Sequence, residues 1–266
     1  MNPQEPTTEA RESTLGTHVV EHDDRYGDVD VLYLNAPLDT MDREREIRAR
    51  VTAFAELPPA IAPPVYKVER VDGSLRVVSA HVEGIRLSTL LDHLQSGKVS
   101  IPDDAMFELI GRVIRAVGVF HAAGHRVAHG AIGPDQIVMA SHGVVLTDTV
   151  YGAALEGLHW SRERIWRAFG LALPATVSMV RFDQRNDLTQ LSAVVLALLL
   201  RRPLAEEEYP AATGKLLTDV TEKLSCRQSL RTWFQQALQQ HARLTFVSGV
   251  DASRAYADTI MRPAAA

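Results

Sequence analysis

Apolar residues change their spacing near residue 84. Before it, short runs rich in β-branched and aromatic residues are separated by turn residues: THVVEH at 17–22, VDVLYL at 29–34, PVYKVER at 64–70 and LRVVSAHV at 75–82. These read as strands, with turns near 25–28, where Gly27 frees the backbone, and at Asp72-Gly73. Between the second and third runs, residues 42–57 place Ile47, Val51, Phe54 and Ala55 on one face of a helix. Asp42, Glu44 and Glu46 suit its N-terminal end, and Pro58-Pro59 stops it.

After residue 84 helical spacing takes over, near 87–96, 104–123, 187–201, 213–224, 228–241 and 251–261. Two short strands, QIVMA and GVVLTD, interrupt it around the turn His142-Gly143. A small strand-rich part thus precedes a larger helical part, which predicts an α+β fold of two lobes. Residues 1–14 are polar and read as a disordered lead-in, and 262–266 as a loose tail. The expected divisions are 15–84 for the small lobe and 85–261 for the large one.

Composition narrows the function classes. A chain of 266 residues buries a sizeable core, and a net charge of −5 gives no reason to expect nucleic acid as a partner. Cys226 is the only cysteine, which excludes a disulfide within the chain and argues against a Cys-based zinc site. Residues 1–14 hold no apolar signal region, and the apolar run from Leu191 to Leu200 falls short of the roughly 20 residues a membrane span needs. The expectation is a cytoplasmic protein with no membrane span.

The most specific stretch is 120–152, FHAAGHRVAHGAIGPDQIVMASHGVVLTDTVYG. It resembles the protein kinase fold, in which a helix ending in His precedes a catalytic loop H-R-D-L-K-P-x-N, a hairpin and D-F-G. His121 falls at the helix end, His129 opens the loop, Pro134 and Ile137-Val138 are in register, and Asp148 stands where the Asp of D-F-G belongs. RVVSAHVEG resembles the last small-lobe strand and the hinge, with Ser79, Ala80 and His81 as hinge positions. DLTQLSAVVLALLLRRPL resembles the buried helix that opens with Asp, here Asp187. LRTWFQQALQQHARLTF resembles the penultimate helix and the Arg-bearing stretch after it. The resemblance spans about 15–260 and points to bacterial Ser/Thr protein kinase domains.

The parts that transfer phosphate in that family are mostly absent. The only glycines before Gly73 are Gly16 and Gly27, so no G-x-G-x-x-G exists. No lysine precedes Lys67, and Leu32 or a neighbour takes the strand-lysine place. Arg50 takes the place of the helix glutamate, with Glu46 one turn earlier. Ala131 stands for the catalytic Asp, Gly133 for the loop Lys and Gln136 for the loop Asn. Leu173-Pro174-Ala175 stands for A-P-E, which leaves Arg243 without its usual glutamate. A methyl group accepts no proton, and each lost charge-stabilising group removes about 3 kcal/mol of transition-state stabilisation. The resemblance therefore implies a pseudokinase that acts as a protein-binding scaffold or allosteric regulator, with weak or no ATP binding and no cofactor.

Other readings stay open at this point. An atypical kinase or nucleotide-binding transferase would use Asp148 or Asp135 in a remodelled cleft, with ATP and Mg²⁺. A degenerate small-molecule kinase relative would also need the acid that Ala131 replaces. Asp148 is the one candidate metal ligand, and a lone carboxylate holds Mg²⁺ poorly. His121, His125 and His129 recur every four residues, but the helix should end near Gly124, so they share no face. His129, Pro134 and Asp187 read as structural, with Asp187 capping its helix or bonding to the catalytic-loop backbone. SRERIWRAF at 161–169 reads as a short amphipathic helix or as a docking surface for a protein partner, anchored by Trp160, Arg164 and Trp166.

Overall fold

The protein is represented by a computed structural model that describes residues 10–123, 127–174, 181–222, 224, 227–239 and 245–259. Five antiparallel strands among the described residues make the small-lobe sheet: β1 (Arg11–Glu12), β2 (Gly16–Asp23), β3 (Gly27–Leu34), β4 (Val65–Val71) and β5 (Ser74–Ala80). Their order is β1-β2-β3-β5-β4. Alternation along β3 separates the two faces. Val29 and Val31 pack with Val78 under Tyr26, Tyr33 and Tyr66, while Leu32 and Leu34 join the main core. Asp30 shares the register of the two leucines. Asp72 and Gly73 both have positive φ, 51° and 86°, the turn geometry that suits the twist of a tight hairpin.

Residues 11–14 depart from the expected disordered lead-in. Arg11 and Glu12 pair with His18 and Thr17 of β2. The reason lies in side-chain contacts that polarity alone does not show. Thr17 Oγ1 donates to Glu12 at 2.9 Å, and Arg11 reaches Asp135 of the other lobe at 3.3 Å.

Helix α1 (Met41–Phe54) starts where the Thr40 side chain accepts the Arg43 N–H, and acidic Asp42 and Glu44 sit in its first turn. It ends before the expected Leu57. Pro58 and Pro59 have no N–H for the carbonyls of Phe54 and Ala55 to accept. Ile47 and Phe54 are buried, and the Phe54 ring meets Phe120 edge-on at 5.6 Å.

The large lobe runs through β6 (Ile85–Arg86), α2 (Leu87–Gln95), α3 (Asp103–Ala123), β7 (Ile137–Ala140), β8 (Gly143–Leu146), α4 (Gly152–Glu156) and α5 (Arg162–Phe169). It continues through α6 (Gln184–Leu200), α7 (Thr213–Thr221), α8 (Arg227–Ala237) and α9 (Gly249–Thr259). Helix α6 is buried from Asn186 to Leu198, which explains its unbroken apolar character. It opens three residues before the expected Asp187, because Asp183 caps it by accepting the Asn186 N–H at 3.0 Å. One hydrophobic cluster crosses both lobes, joining Leu32 and Ile47 to Phe120, Leu146, Leu188 and Trp233. No helix among the described residues is long and apolar enough to cross a membrane. His125, Ala175, Cys226, Arg243 and the tail lie outside the described residues.

Candidate functional site

The frame of the site is polar and fully buried. Asp187 and Gln190 stand one turn apart on α6 and face the 129–132 backbone. Asp187 accepts the N–H of His129 at 2.6 Å and of Gly130 at 2.7 Å, and Nε2 of His121 at 2.8 Å. Gln190 accepts the Ile132 N–H at 2.7 Å and donates to the Gly130 carbonyl at 3.2 Å. Gly130 has φ 78°, and a Cβ there would lie 2.5 Å from Cα of Gly152. His129 accepts the Ala131 N–H on Nδ1 at 3.2 Å and donates from Nε2 to the Thr147 carbonyl at 2.9 Å. Burial pushes its pKa down, so the ring is neutral.

Ala131 is wholly buried, with its methyl in the main core. A Cβ on Gly133 would come within 2.9 Å of Gln136 Oε1, so the loop closes over that position. Leu32 is also buried in the core. Arg50 points elsewhere: its Nη2 donates to the carbonyls of Ala128 and His129, and its guanidinium covers the Phe54 ring.

Charged side chains fill the cleft between the lobes. Asp30 Oδ1 lies 3.2 Å from His81 Nδ1, and Arg86 comes within 3.9 Å of Asp30. Arg86 donates to the Asp135 carbonyl at 2.6 Å and to Thr147 Oγ1 at 3.3 Å. Asp135 accepts Ser88 Oγ at 2.6 Å and Arg11 at 3.3 Å. Asp148, at φ 57°, has an oxygen 3.9 Å from Nε2 of His18. That contact is not an ion pair at neutral pH, since burial lowers the His18 pKa more than Asp148 raises it.

The space left among Asp30, Ser79, Ala80, Arg86, Thr147 and Asp148 is about 10 Å³. That is room for about one water. Pockets that hold drug-sized ligands measure about 300–1,000 Å³. Of the three hinge positions, Ser79 and Ala80 line this space and His81 leans on Asp30, while the Ala80 N–H is taken by the Pro64 carbonyl at 3.0 Å. Among the described residues, no three His, Cys, Asp or Glu side chains converge on a metal-sized point.

No family model and no curated protein matches the sequence. Solved structures do. A crystal structure of a single mutant of the Mycobacterium tuberculosis PknI kinase domain superposes with a TM-score of 0.70 at 18% identity, over 94% of this chain and 92% of that one. A double mutant of the same domain gives 0.70 at 17%, over 94% and 93%, and the unmutated domain 0.66 at 17%, over 93% and 92%. The chain has a protein-kinase-like fold.

On this kinase-like fold, sequence reasoning missed Arg11, His18, Asp30, Arg86 and Ser88. Asp30 carried a signal, since its parity in VDVLYL places an acid on the face of two core leucines. Arg11 carried none, because it sits in a polar stretch without periodicity. The expected docking anchors divide. Trp166 is buried, donates Nε1 to the Glu206 carbonyl at 2.7 Å and packs on Tyr209, so it is a core residue. Trp160 is half-buried, stacks on Phe169, and carries the exposed Arg164 guanidinium 3.6 Å above its ring.

Proposed function

We propose that the chain is a kinase-like module without phosphotransfer activity that works by binding protein. The carrying observation is the cleft, where Asp30, Arg86 and Asp148 surround a space of about 10 Å³. An acid pointing into that space repels triphosphate, and an arginine already bonded to Asp135 and Thr147 is not free to replace the strand lysine. The buried methyl of Ala131 supports the same reading, since it offers no proton acceptor at that position, and both ring nitrogens of the neighbouring His129 are taken by backbone groups.

Catalysis is tested by thermal unfolding with millimolar ATP, alone and with Mg²⁺ or Mn²⁺, alongside transfer of labelled phosphate to a generic protein substrate. The expected result is no shift in Tm and no transfer. A shift of several degrees would reverse the reading, because a ligand of the native state must raise its stability. Asp148 would then be the acid to test first, since it lines the space while Asp135 is held by Ser88 and Arg11. For the binding half, the Trp160–Arg164 pair is the surface assigned to a protein partner. Trp160→Ala with Arg164→Ala should reduce capture of a partner by the purified chain, and undiminished capture would remove this surface from the proposal.

A further inference from the structure

Residues Arg11–Leu15 cross from one lobe to the other. β1 is an edge strand of two residues whose register with β2 is Arg11↔His18 and Glu12↔Thr17. The turn after it is closed by Ser13 Oγ on the Gly16 carbonyl at 2.9 Å, and Leu15 is buried in the core. Among the described residues, the segment makes its charged contact with the large lobe from Arg11 to Asp135. Asp135 is a fixed anchor there, held by Ser88 on its carboxylate and by Arg86 on its carbonyl.

Next to this contact lies a larger, mostly apolar cavity of about 310 Å³, walled by Leu91, Ile132, Phe169 and Val194, with Asp135 and Thr14 on its edge. The same short segment therefore supplies both a charged tether to the large lobe and part of the wall of an apolar cavity.

We propose that Arg11–Thr14 is a strap, latched by Arg11 on Asp135 and hinged at the buried Leu15, that covers one edge of this cavity and lifts off it without unfolding the domain. A two-residue edge strand holds little local stability, so opening is a local event. Both latch side chains are partly exposed, at 32% and 25%, so salt weakens the latch. The inference is independent of whether the cleft binds nucleotide.

The test uses the full chain. Amide hydrogen exchange and binding of the anionic amphipathic dye 1-anilinonaphthalene-8-sulfonate, whose rings enter apolar cavities, are measured for the wild type at low salt and in 1 M NaCl, and for Arg11→Ala, Arg11→Lys and Asp135→Ala at low salt. The expected result is at least a tenfold loss of protection at residues 11–14 and a several-fold gain in dye binding for Arg11→Ala and Asp135→Ala. Arg11→Lys should behave like the wild type, high salt should shift the wild type part of the way, and α3 and α9 should keep their protection. Three results would overturn the strap: unchanged exchange in both alanine variants, loss of protection that spreads equally to α3 and α9, or local loss without added dye binding.

Discussion

His121 Nε2 donates to Oδ2 of Asp187 at 2.8 Å, and both side chains are closed to solvent. The same carboxylate also receives two backbone N–H groups, so three donors compensate one buried charge. Asp187→Ala leaves those donors without an acceptor inside the core. Its unfolding free energy should fall by about 3–5 kcal/mol, measured by urea denaturation. Asp187→Asn, which must turn an amide NH₂ toward one of the donors, should fall in between. A loss below about 1 kcal/mol for the alanine variant would mean that the frame does not depend on this carboxylate.

Stability should fall on the acid side of neutrality. The folded His129 pKa is depressed by burial, while the unfolded value is about 6.5. Above that pH the ring is neutral in both states and contributes no slope. Below it the unfolded chain takes up a proton that the folded one refuses, so stability is lost as pH drops from about 6.5 toward the folded value, by up to about 1.4 kcal/mol per pH unit. His18 acts in the same direction and for the same reason. His22 acts in the opposite direction through its bond to Asp28, but it is exposed and solvent screens it. Urea midpoints between pH 5.5 and 8 should show this limb, and His129→Gln should flatten it. An unchanged limb in that variant would assign the effect to other groups.

The two tryptophans near α5 should separate cleanly. Trp166→Ala removes a buried ring and its bond to the Glu206 carbonyl, and should cost about 3–5 kcal/mol. Trp160 is half-buried, and its removal should cost about 1 kcal/mol. Denaturation of the two single variants checks this, and equal costs would contradict the assignment of one ring to the core and the other to the surface.

The order of the lobes and most strands and long helices were legible in the sequence, because spacing of apolar residues and turn chemistry are local properties, whereas β1, β6 and α4 were not. The place of Ala131 at the catalytic-acid position is a reading of the sequence, to which the structure adds that its methyl is wholly buried. Tertiary structure alone decided the rest. Asp187 meets His121, 66 positions away in the chain, Arg50 turns to the 128–129 carbonyls, and Arg11 ties a polar leading segment to Asp135. These contacts join residues with no periodic relation to one another. Their energies come from desolvation and charge pairing at a distance in sequence, which no local pattern encodes.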